Sequence, residues 1–357
     1  IGVFLLGFTS LTLGTLIQLS RHRGIINTAL LLCSTILIST LLSSLKHGGL
    51  FVSGATAACV AIIQIPNRLI YRMASAIVCA LLALGLFLPE LGISRLEPRT
   101  KLMVRITGIQ LEFPNDHQVL SSLNQARARF PDTQLFMLSE YTFQNPPPQS
   151  VRDWCASNRV YLVVGGKEPL GETNFYNMAY VIGTNGAIVH RQVKSVPIQF
   201  FKDGLPAPER KVWDSPWGKF GILTCYDLSY TRIVDDLVRQ GAVALLNPTM
   251  DVADWGEQQH RLHARVAPVR AAEYGIPIFR VASSGISQLV SRTGRVTASA
   301  PFQGGDYTGN GELIEGQLPL NAEPRLPLDR WFAPVCVAIA ALTFVASLIP
   351  IRKRNHE

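Results

Sequence analysis

Three residues that could act together in covalent catalysis each follow a segment that is predicted to form a strand. They are Glu140, Lys194 and Cys225, in that order along the chain. After Cys225, apolar residues recur at spacings of three and four between 233 and 238, which predicts a helix. We therefore expect the thiol to lie where a strand turns into a helix, at the end of a sheet. A helix N-terminus in that position favours the thiolate.

These residue types suit acyl transfer through a cysteine thioester. A thiol with an ordinary pKa of about 8.5 is mostly protonated at neutral pH, so the nucleophile needs a base. Glu140, in a mostly apolar pocket, can accept that proton. Lys194 and the backbone N–H of Tyr226 can stabilise the oxyanion that forms when Cys225 attacks a carbonyl. Water or an amine then resolves the thioester, and no metal or organic cofactor is required.

Alternating strand and helix patterns must position these residues. Strands are predicted at 102–106, 135–138, 160–164, 175–182, 187–193, 221–224, 242–246, 277–282 and 287–291, and helices at 119–130, 151–158 and 260–274. An Asn-Gly turn at 185–186 predicts a β-hairpin whose second strand leads to Lys194. The alternation predicts an α/β sandwich domain over 102–320 with its helices outside, and a linker over 91–101.

Long uncharged runs lie on both sides of this domain. The chain is 48% hydrophobic and only 16% charged, against about 25% charged in a typical soluble domain. The runs are 1–19, 25–45, 50–65, 73–88 and 332–351. Since a membrane span needs about 20 apolar residues, we predict about four transmembrane helices within 1–90 and one at 331–351. Because the chain begins inside an apolar run, we also expect further membrane helices upstream.

The charge distribution predicts the orientation of the domain. Residues 1–90 and 331–357 carry eight basic and two acidic residues, so they hold most of the net charge of +8. The basic excess therefore does not lie on the globular domain, where nucleic-acid binding would place it. Basic loops stay in the cytoplasm, and the clusters at 21–23, 68–72 and 352–354 can all do so only if the domain faces the other side.

The cysteines divide in the same way. Four of the six lie in the apolar runs, where a cysteine acts as a small apolar residue, and only Cys155 and Cys225 belong to the globular domain. A disulfide between these two would consume the nucleophile, so we expect both thiols to be free. His260 and His263 are spaced to share one helix face. No third ligand follows at a suitable spacing, so we expect a structural role rather than a metal site.

Motifs around the three residues resemble a known family. The segments are Ser139-Glu140, Val193-Lys194, Gly221-Ile222-Leu223-Thr224-Cys225-Tyr226-Asp227, Asn247-Pro248-Thr249, Trp255-Gly256, Gln259-His260 and Arg270-Ala271-Ala272-Glu273-Tyr274. Together they resemble the nitrilase, or carbon–nitrogen hydrolase, superfamily over about 102–315. The resemblance implies a nitrilase-like α-β-β-α sandwich, here inserted between transmembrane helices, with Glu140, Lys194 and Cys225 as its catalytic residues.

Within that superfamily the chain is most similar to the apolipoprotein N-acyltransferases, which carry this domain between membrane helices. This resemblance implies transfer of a fatty-acyl chain from a phospholipid donor to an amine acceptor, the N-terminus of a lipoprotein. It also implies a multi-pass protein of the bacterial inner membrane whose catalytic domain lies on the periplasmic face.

The chain departs from that branch in ways that keep other functions open. The glutamate that the branch carries soon after the lysine is missing, and Gln199 and Asp203 are the candidate substitutes. Asp227 stands where the branch has glutamate. A membrane-tethered amidase or nitrilase that hydrolyses a small amide or nitrile is therefore the alternative, and a silent scaffold is a third. Trp255 either packs or contacts substrate. The adjacent pair 200–201 is predicted to be an exposed aromatic segment that meets a membrane surface or an acyl chain.

Overall fold

The computed structural model describes residues 102–303, 311–320, 323–327 and 330. All of these except Arg330 belong to one compact unit, Pro98–Pro327. The predicted transmembrane helices and the linker 91–101 lie outside the described residues. Among the described residues, every helix falls short of the length and apolarity that crossing a membrane requires.

Within the described residues, two six-stranded sheets form the framework of this unit. In chain order the strands are β1 (Met103–Ile109), β2 (Leu135–Leu138), β3 (Tyr161–Leu170), β4 (Asn174–Ile182), β5 (Ile188–Val193), β6 (Trp213–Ser215), β7 (Gly218–Ile222), β8 (Ala244–Thr249), β9 (Ile278–Ala282), β10 (Ser287–Val290), β11 (Val296–Ala300) and β12 (Leu313–Pro319). The first sheet has the order β12-β1-β2-β3-β4-β5 and the second the order β11-β10-β9-β8-β7-β6. Strands β1, β2 and β3 are parallel, as are β7, β8 and β9, and antiparallel strands flank both sets.

In the part of the chain that the structure describes, five α-helices cover the sheets. They are α1 (Asp116–Arg129), α2 (Gln149–Asn158), α3 (Thr231–Arg239), α4 (Glu257–Ala264) and α5 (Val266–Tyr274). A capping box starts α1: the Asn115 side chain accepts from the Gln118 N–H and the Gln118 side chain accepts from the Asn115 N–H, both at 2.9 Å. These bonds satisfy N–H groups that a helix start leaves without partners.

Three apolar layers confirm the predicted α-β-β-α sandwich. The central layer lies between the sheets, where Ile106 and Met137 of the first sheet belong to the same cluster as Leu246 and Phe279 of the second. A second layer joins α1 and α2 to the outer face of the first sheet, and a third joins α3 and α5 to the outer face of the second. Each sheet therefore buries both faces, which explains why its central strands are continuous apolar runs rather than alternating ones.

The structure corrects several element boundaries. The single helix predicted at 260–274 is two helices, α4 and α5, because Pro268 has no N–H to donate to the Ala264 carbonyl and its ring crowds that carbonyl. Strand β3 continues past Gly166 to Leu170, and β8 continues through Thr249. Strands β6, β11 and β12 were not predicted. The strand expected to turn directly into a helix at Cys225 leads instead into a short 3₁₀ helix, Cys225–Ser229.

Candidate active site

The ends of strands from both sheets bring the predicted catalytic residues together. Glu140 follows β2, Lys194 follows β5 and Cys225 follows β7. The carboxyl ends of parallel strands meet at one edge of a sheet, and this edge is where such folds place binding sites. Close packing holds the Glu140 segment, since a Cβ on Gly165 of β3 would lie 2.5 Å from the Glu140 Cα. Only glycine fits there without moving the Glu140 backbone.

Three donors hold the Glu140 carboxylate, which is 2% exposed. Asn177 Nδ2 and Lys194 Nζ donate to Oε1 at 2.6 and 2.9 Å, and the Met250 N–H donates to Oε2 at 2.8 Å. The pocket is thus polar and fully hydrogen-bonded rather than mostly apolar as predicted. These bonds fix the carboxylate in one orientation and join both sheets, because Met250 follows β8 of the second sheet.

Lys194 lies between two carboxylates. Its Nζ is 2.9 Å from Glu140 Oε1 and 2.7 Å from Asp203 Oδ2, and its side chain is 1% exposed. Burial alone would lower the pKa of Lys194, but Glu140 and Asp203 outweigh it and raise that pKa above its ordinary value. Lys194 is therefore a fixed, permanently charged ammonium at neutral pH.

Asp203 is a second buried carboxylate beside Lys194. Besides Lys194 it accepts from Tyr141 Oη at 2.6 Å, from Asn177 Nδ2 at 2.9 Å and from the Ile198 N–H at 2.8 Å. The other candidate substitute, Gln199, is exposed. Burial and the bond to Asp203 raise the pKa of Tyr141, so its hydroxyl keeps the proton that it donates.

Cys225 occupies a strained backbone conformation at the centre of the site. Its φ is +51°, in the left-handed region that non-glycine residues rarely adopt. Such outliers persist where surrounding structure enforces them, and they cluster at functional sites. The residue is 2% exposed, and its Sγ donates to the Met250 carbonyl at 3.7 Å.

The resting form of Cys225 is the thiol. Burial, and after it the Glu140 charge, raise the pKa of Cys225 well above its ordinary value, although Lys194 opposes them. The prediction that a helix N-terminus stabilises a thiolate is wrong, because α3 begins only at Thr231, after the 3₁₀ helix. A nucleophilic role for Cys225 would consequently need a neighbouring base.

Asp227 links the segment that carries the thiol to the segment that carries the lysine. Its carboxylate accepts the Ser195 N–H at 2.9 Å, the Val196 N–H at 2.8 Å and the Thr224 N–H at 3.2 Å. Burial raises the pKa of Asp227 to about 6, against the opposing effect of these bonds. One buried carboxylate thereby fixes the segment that follows Lys194 relative to the segment that contains Cys225.

Aromatic side chains lie exposed on loops that lead out of the site. Phe200 is 90% exposed and Phe201 60% exposed, on the loop between Lys194 and Asp203. The Phe201 ring stacks on Trp255 with centroids 6.2 Å apart. We call Phe200, Phe201 and Trp255 the aromatic patch. Tyr226, which follows Cys225, is 43% exposed, and the centroid of its ring lies 5.2 Å from that of Tyr230 in an edge-on contact.

Sequence reasoning missed several polar residues that hold the site. Asn177 interrupts the apolar run of β4, and Arg280 places a charge in the apolar run of β9. A buried polar residue in such a strand needs a partner, and that signal could have identified both. Cys155 and Cys225 are both free thiols, as predicted. Among the described residues, no group of three potential ligands is arranged to hold a metal ion.

Comparisons with known proteins find a matching family and related sequences. Residues 87–313 match the family described as carbon-nitrogen hydrolase. An apolipoprotein N-acyltransferase of Brucella suis is 29% identical over 216 residues, which are 52% of this chain and 38% of that protein. A deaminated glutathione amidase of Dictyostelium discoideum is 27% identical over 172 residues, 42% of this chain and 59% of that protein. This chain thus matches less than two thirds of the length of either relative.

A solved structure shares the fold. A Saccharomyces cerevisiae protein, a member of branch 10 of the nitrilase superfamily, superposes with a TM-score of 0.52 at 17% identity. The superposition covers 72% of this chain and 98% of that protein. At this identity the likeness concerns the fold alone.

Proposed function

Because the chain belongs to the carbon–nitrogen hydrolase family, we propose that it forms a thioester on Cys225 and passes the acyl group to an amine. The donor is a membrane phospholipid, the acyl group is a fatty-acyl chain, and the acceptor is the N-terminus of a lipoprotein. The observation that carries acyl transfer is the buried set of Glu140, Lys194 and Cys225 at the ends of strands from two sheets.

In the first half-reaction the Cys225 thiol gives its proton to Glu140 as Sγ attacks the ester carbonyl carbon of the donor. The oxyanion that forms is stabilised by the Lys194 ammonium and by the Tyr226 N–H. The intermediate collapses to a thioester and expels the lipid alcohol, which takes the proton back from Glu140. Asp203 keeps Lys194 charged and in place throughout.

In the second half-reaction the amine attacks the thioester carbonyl and gives a proton to Glu140. The second tetrahedral intermediate expels the Cys225 thiolate and leaves an amide. Glu140 then returns the proton to the thiolate, which restores the resting thiol. Each step moves one proton between the reacting groups and Glu140, so no cofactor takes part.

Two features support a lipid donor. The aromatic patch lies on the loop between Lys194 and Asp203 and on the loop after Met250, so an apolar surface adjoins the catalytic groups. Aromatic side chains of this kind are enriched where proteins meet the membrane interface. The long uncharged runs on both sides of the domain would hold it beside a bilayer, with the domain on the outer face of the bacterial inner membrane.

A hydrolase that acts on a small amide or nitrile is the second candidate. The similarity to a deaminated glutathione amidase supports it, and so does the narrow access to Cys225, which is 2% exposed. The two candidates share the thioester and differ in the acyl group and in the acceptor, which for the hydrolase is water.

Intact-mass measurement after incubation with phospholipid in detergent separates the candidates. The proposed transferase gains one fatty-acyl mass on the wild type, and Cys225→Ala gains none. Cys155→Ala is the matched control: burial raises the pKa of that thiol to about 12, and Cys155 lies on the buried face of α2, outside the site. A wild type that stays unmodified by phospholipid but turns over short amides supports the hydrolase, and an inert wild type contradicts both.

A further inference from the structure

A second buried charge cluster lies directly behind the catalytic groups. The Asp251 carboxylate binds Arg280 Nη2 through Oδ2 at 2.5 Å and His263 Nδ1 through Oδ1 at 2.7 Å, and His260 Nδ1 is 3.7 Å from Oδ2. Asp251, Arg280 and His260 are each at most 1% exposed, and His263 is 11% exposed. Burying charges so completely is costly, so the cluster needs a reason beyond stability.

The backbone next to this cluster contacts both reacting groups. Asp251 directly follows Met250, whose N–H donates to Glu140 at 2.8 Å and whose carbonyl accepts from the Cys225 thiol at 3.7 Å. The backbone of Asp251 is also fixed, since its N–H donates to Ser283 Oγ at 3.0 Å and its carbonyl accepts from the same hydroxyl at 2.9 Å. The backbone of Met250 therefore sets how the base and the nucleophile face each other.

We propose that Asp251, held by Arg280 and His263, is a positioning residue that fixes the backbone of Met250 and so aligns Glu140 with the Cys225 thiol for proton transfer. The Arg280 side chain is itself held in place, because its Nη1 donates to the Ile286 carbonyl. The inference rests on the proposed function only in taking Cys225 as the nucleophile and Glu140 as its base. It does not depend on the identity of the donor or of the acceptor.

The cluster also influences the charge of the thiol. The groups that face Cys225 are Glu140 and Tyr141 from the first sheet, Lys194 from the end of β5 and Asp251 from the end of β8. Glu140 and Asp251 raise the pKa of Cys225, and Lys194 lowers it. Removing the Asp251 carboxylate takes away a negative charge near the thiol and leaves the positive charge of Arg280 unbalanced. Each of these two effects lowers the pKa of Cys225.

The first test follows alkylation of Cys225 by iodoacetamide against pH in the full-length protein, read from the mass of the peptide that contains Cys225. In Asp251→Asn the midpoint is expected at lower pH by about one unit, at the low end of the effect of one nearby charge. The control is Asp235→Asn, which changes a buried carboxylate of α3 that binds Tyr274 at 2.5 Å. That variant loses stability but keeps the wild-type profile.

The second test keeps the proposal falsifiable where Asp251→Asn fails to fold. His263→Ala removes a donor to Asp251, whereas His263→Asn retains an amide N–H close to the position of Nδ1. Single-turnover acylation by a p-nitrophenyl ester is expected to be about 10- to 100-fold slower in His263→Ala, because a small misalignment of Glu140 and Cys225 costs this much in rate. In His263→Asn the rate is expected to recover largely. A wild-type rate in His263→Ala overturns the proposal, and so does an unchanged alkylation profile in folded Asp251→Asn. Neither assay uses phospholipid, so failure of the lipid-donor hypothesis would leave both results interpretable.

Discussion

Replacing Asp203 by asparagine tests whether the charge of the second carboxylate, rather than its shape, holds Lys194. The carboxylate accepts from four donors, two on each oxygen. Asparagine turns one oxygen into an NH₂ group, so two buried donors lose their acceptor. At about 1–3 kcal/mol for each stranded group, the free energy of unfolding falls by about 2–6 kcal/mol. A domain of this size loses roughly 2–4 °C of Tm per kcal/mol, so Tm drops by at least about 4 °C.

The effect on the reaction is expected to be larger than the effect on folding. Lys194 keeps its ion pair with Glu140 but loses the negative charge on its other side, so its ammonium can shift. A displacement of about 1 Å costs on the order of 100-fold in rate. Asp203→Glu keeps the charge and adds one methylene to a tight site, at about 1–3 kcal/mol of stability. Single-turnover release of p-nitrophenolate measures acylation in each variant at a temperature where all are folded. Wild-type acylation in Asp203→Asn would refute the reasoning, as would equal losses in both variants.

Three further predictions concern a pH profile, a close contact and the aromatic patch. The folded pKa of Asp227 is raised from 3.8 to about 6, so its contribution to the free energy of unfolding is present below pH 4 and is lost as the pH rises through about 6. This loss amounts to about 3 kcal/mol. In denaturation curves measured against pH, Asp227→Asn is expected to abolish it. Activity has the opposite sign, since the ionised carboxylate holds the lysine segment, and it falls as pH drops through about 6. Gly165→Ala forces a Cβ to within 2.5 Å of the Glu140 Cα, so thioester formation measured by mass is lost and Tm falls. Phe200→Ser with Phe201→Ser slows acylation by phospholipid about tenfold or more and leaves acylation by a short p-nitrophenyl ester unchanged, since only the long chain needs the patch.

Each of these has a control or a contrary outcome. Val296→Ser changes an exposed apolar residue of β11, and it is expected to leave both acylation rates unchanged. Equal slowing with both donors in the phenylalanine variant would show that the loop, not the patch, matters. For Asp227, a stability difference between wild type and Asp227→Asn that stays flat between pH 4 and 7 contradicts the raised pKa. For Gly165→Ala, an unchanged thioester yield contradicts the tight packing behind Glu140.

Local patterns in the sequence predicted the central strands and the three catalytic candidates. Buried strands are continuous apolar runs, and Glu140 and Cys225 stand just past the ends of such runs. Lys194 instead follows the mixed hairpin strand β5, which holds His190, Arg191 and Gln192. Strand β12 could not be found in this way. It pairs antiparallel with β1, and the two strands lie at opposite ends of the sequence of the domain. The residues of β12 on either side of Gly316 alternate between buried and exposed. Strand β6 has only three residues.

The polar contacts of the site were beyond local patterns because they join distant segments. The sequence offers both Gln199 and Asp203 in place of the missing glutamate after Lys194. Only the fold, in which the loop that carries Asp203 returns to Lys194, distinguishes between them. The sequence also suggested an apolar pocket around Glu140, whereas Asn177 and the Met250 N–H make it polar. Such contacts depend on which strands become neighbours, and spacing along the chain does not determine that.

The charge balance of the site explains why the thiol needs Glu140. The charged groups that face the buried thiol are the Glu140 and Asp251 carboxylates and the Lys194 ammonium. A free thiolate would add a further negative charge, which is why the pKa of Cys225 is raised. Transfer of the thiol proton to Glu140 leaves the total charge unchanged, so attack on a carbonyl can proceed without that cost. The negative charge then moves to the carbonyl oxygen beside Lys194, and the same carboxylate that accepted the proton can return it to the leaving group. A site that stores the proton in this way suits two successive acyl transfers, since the second ends with the charges where the first began.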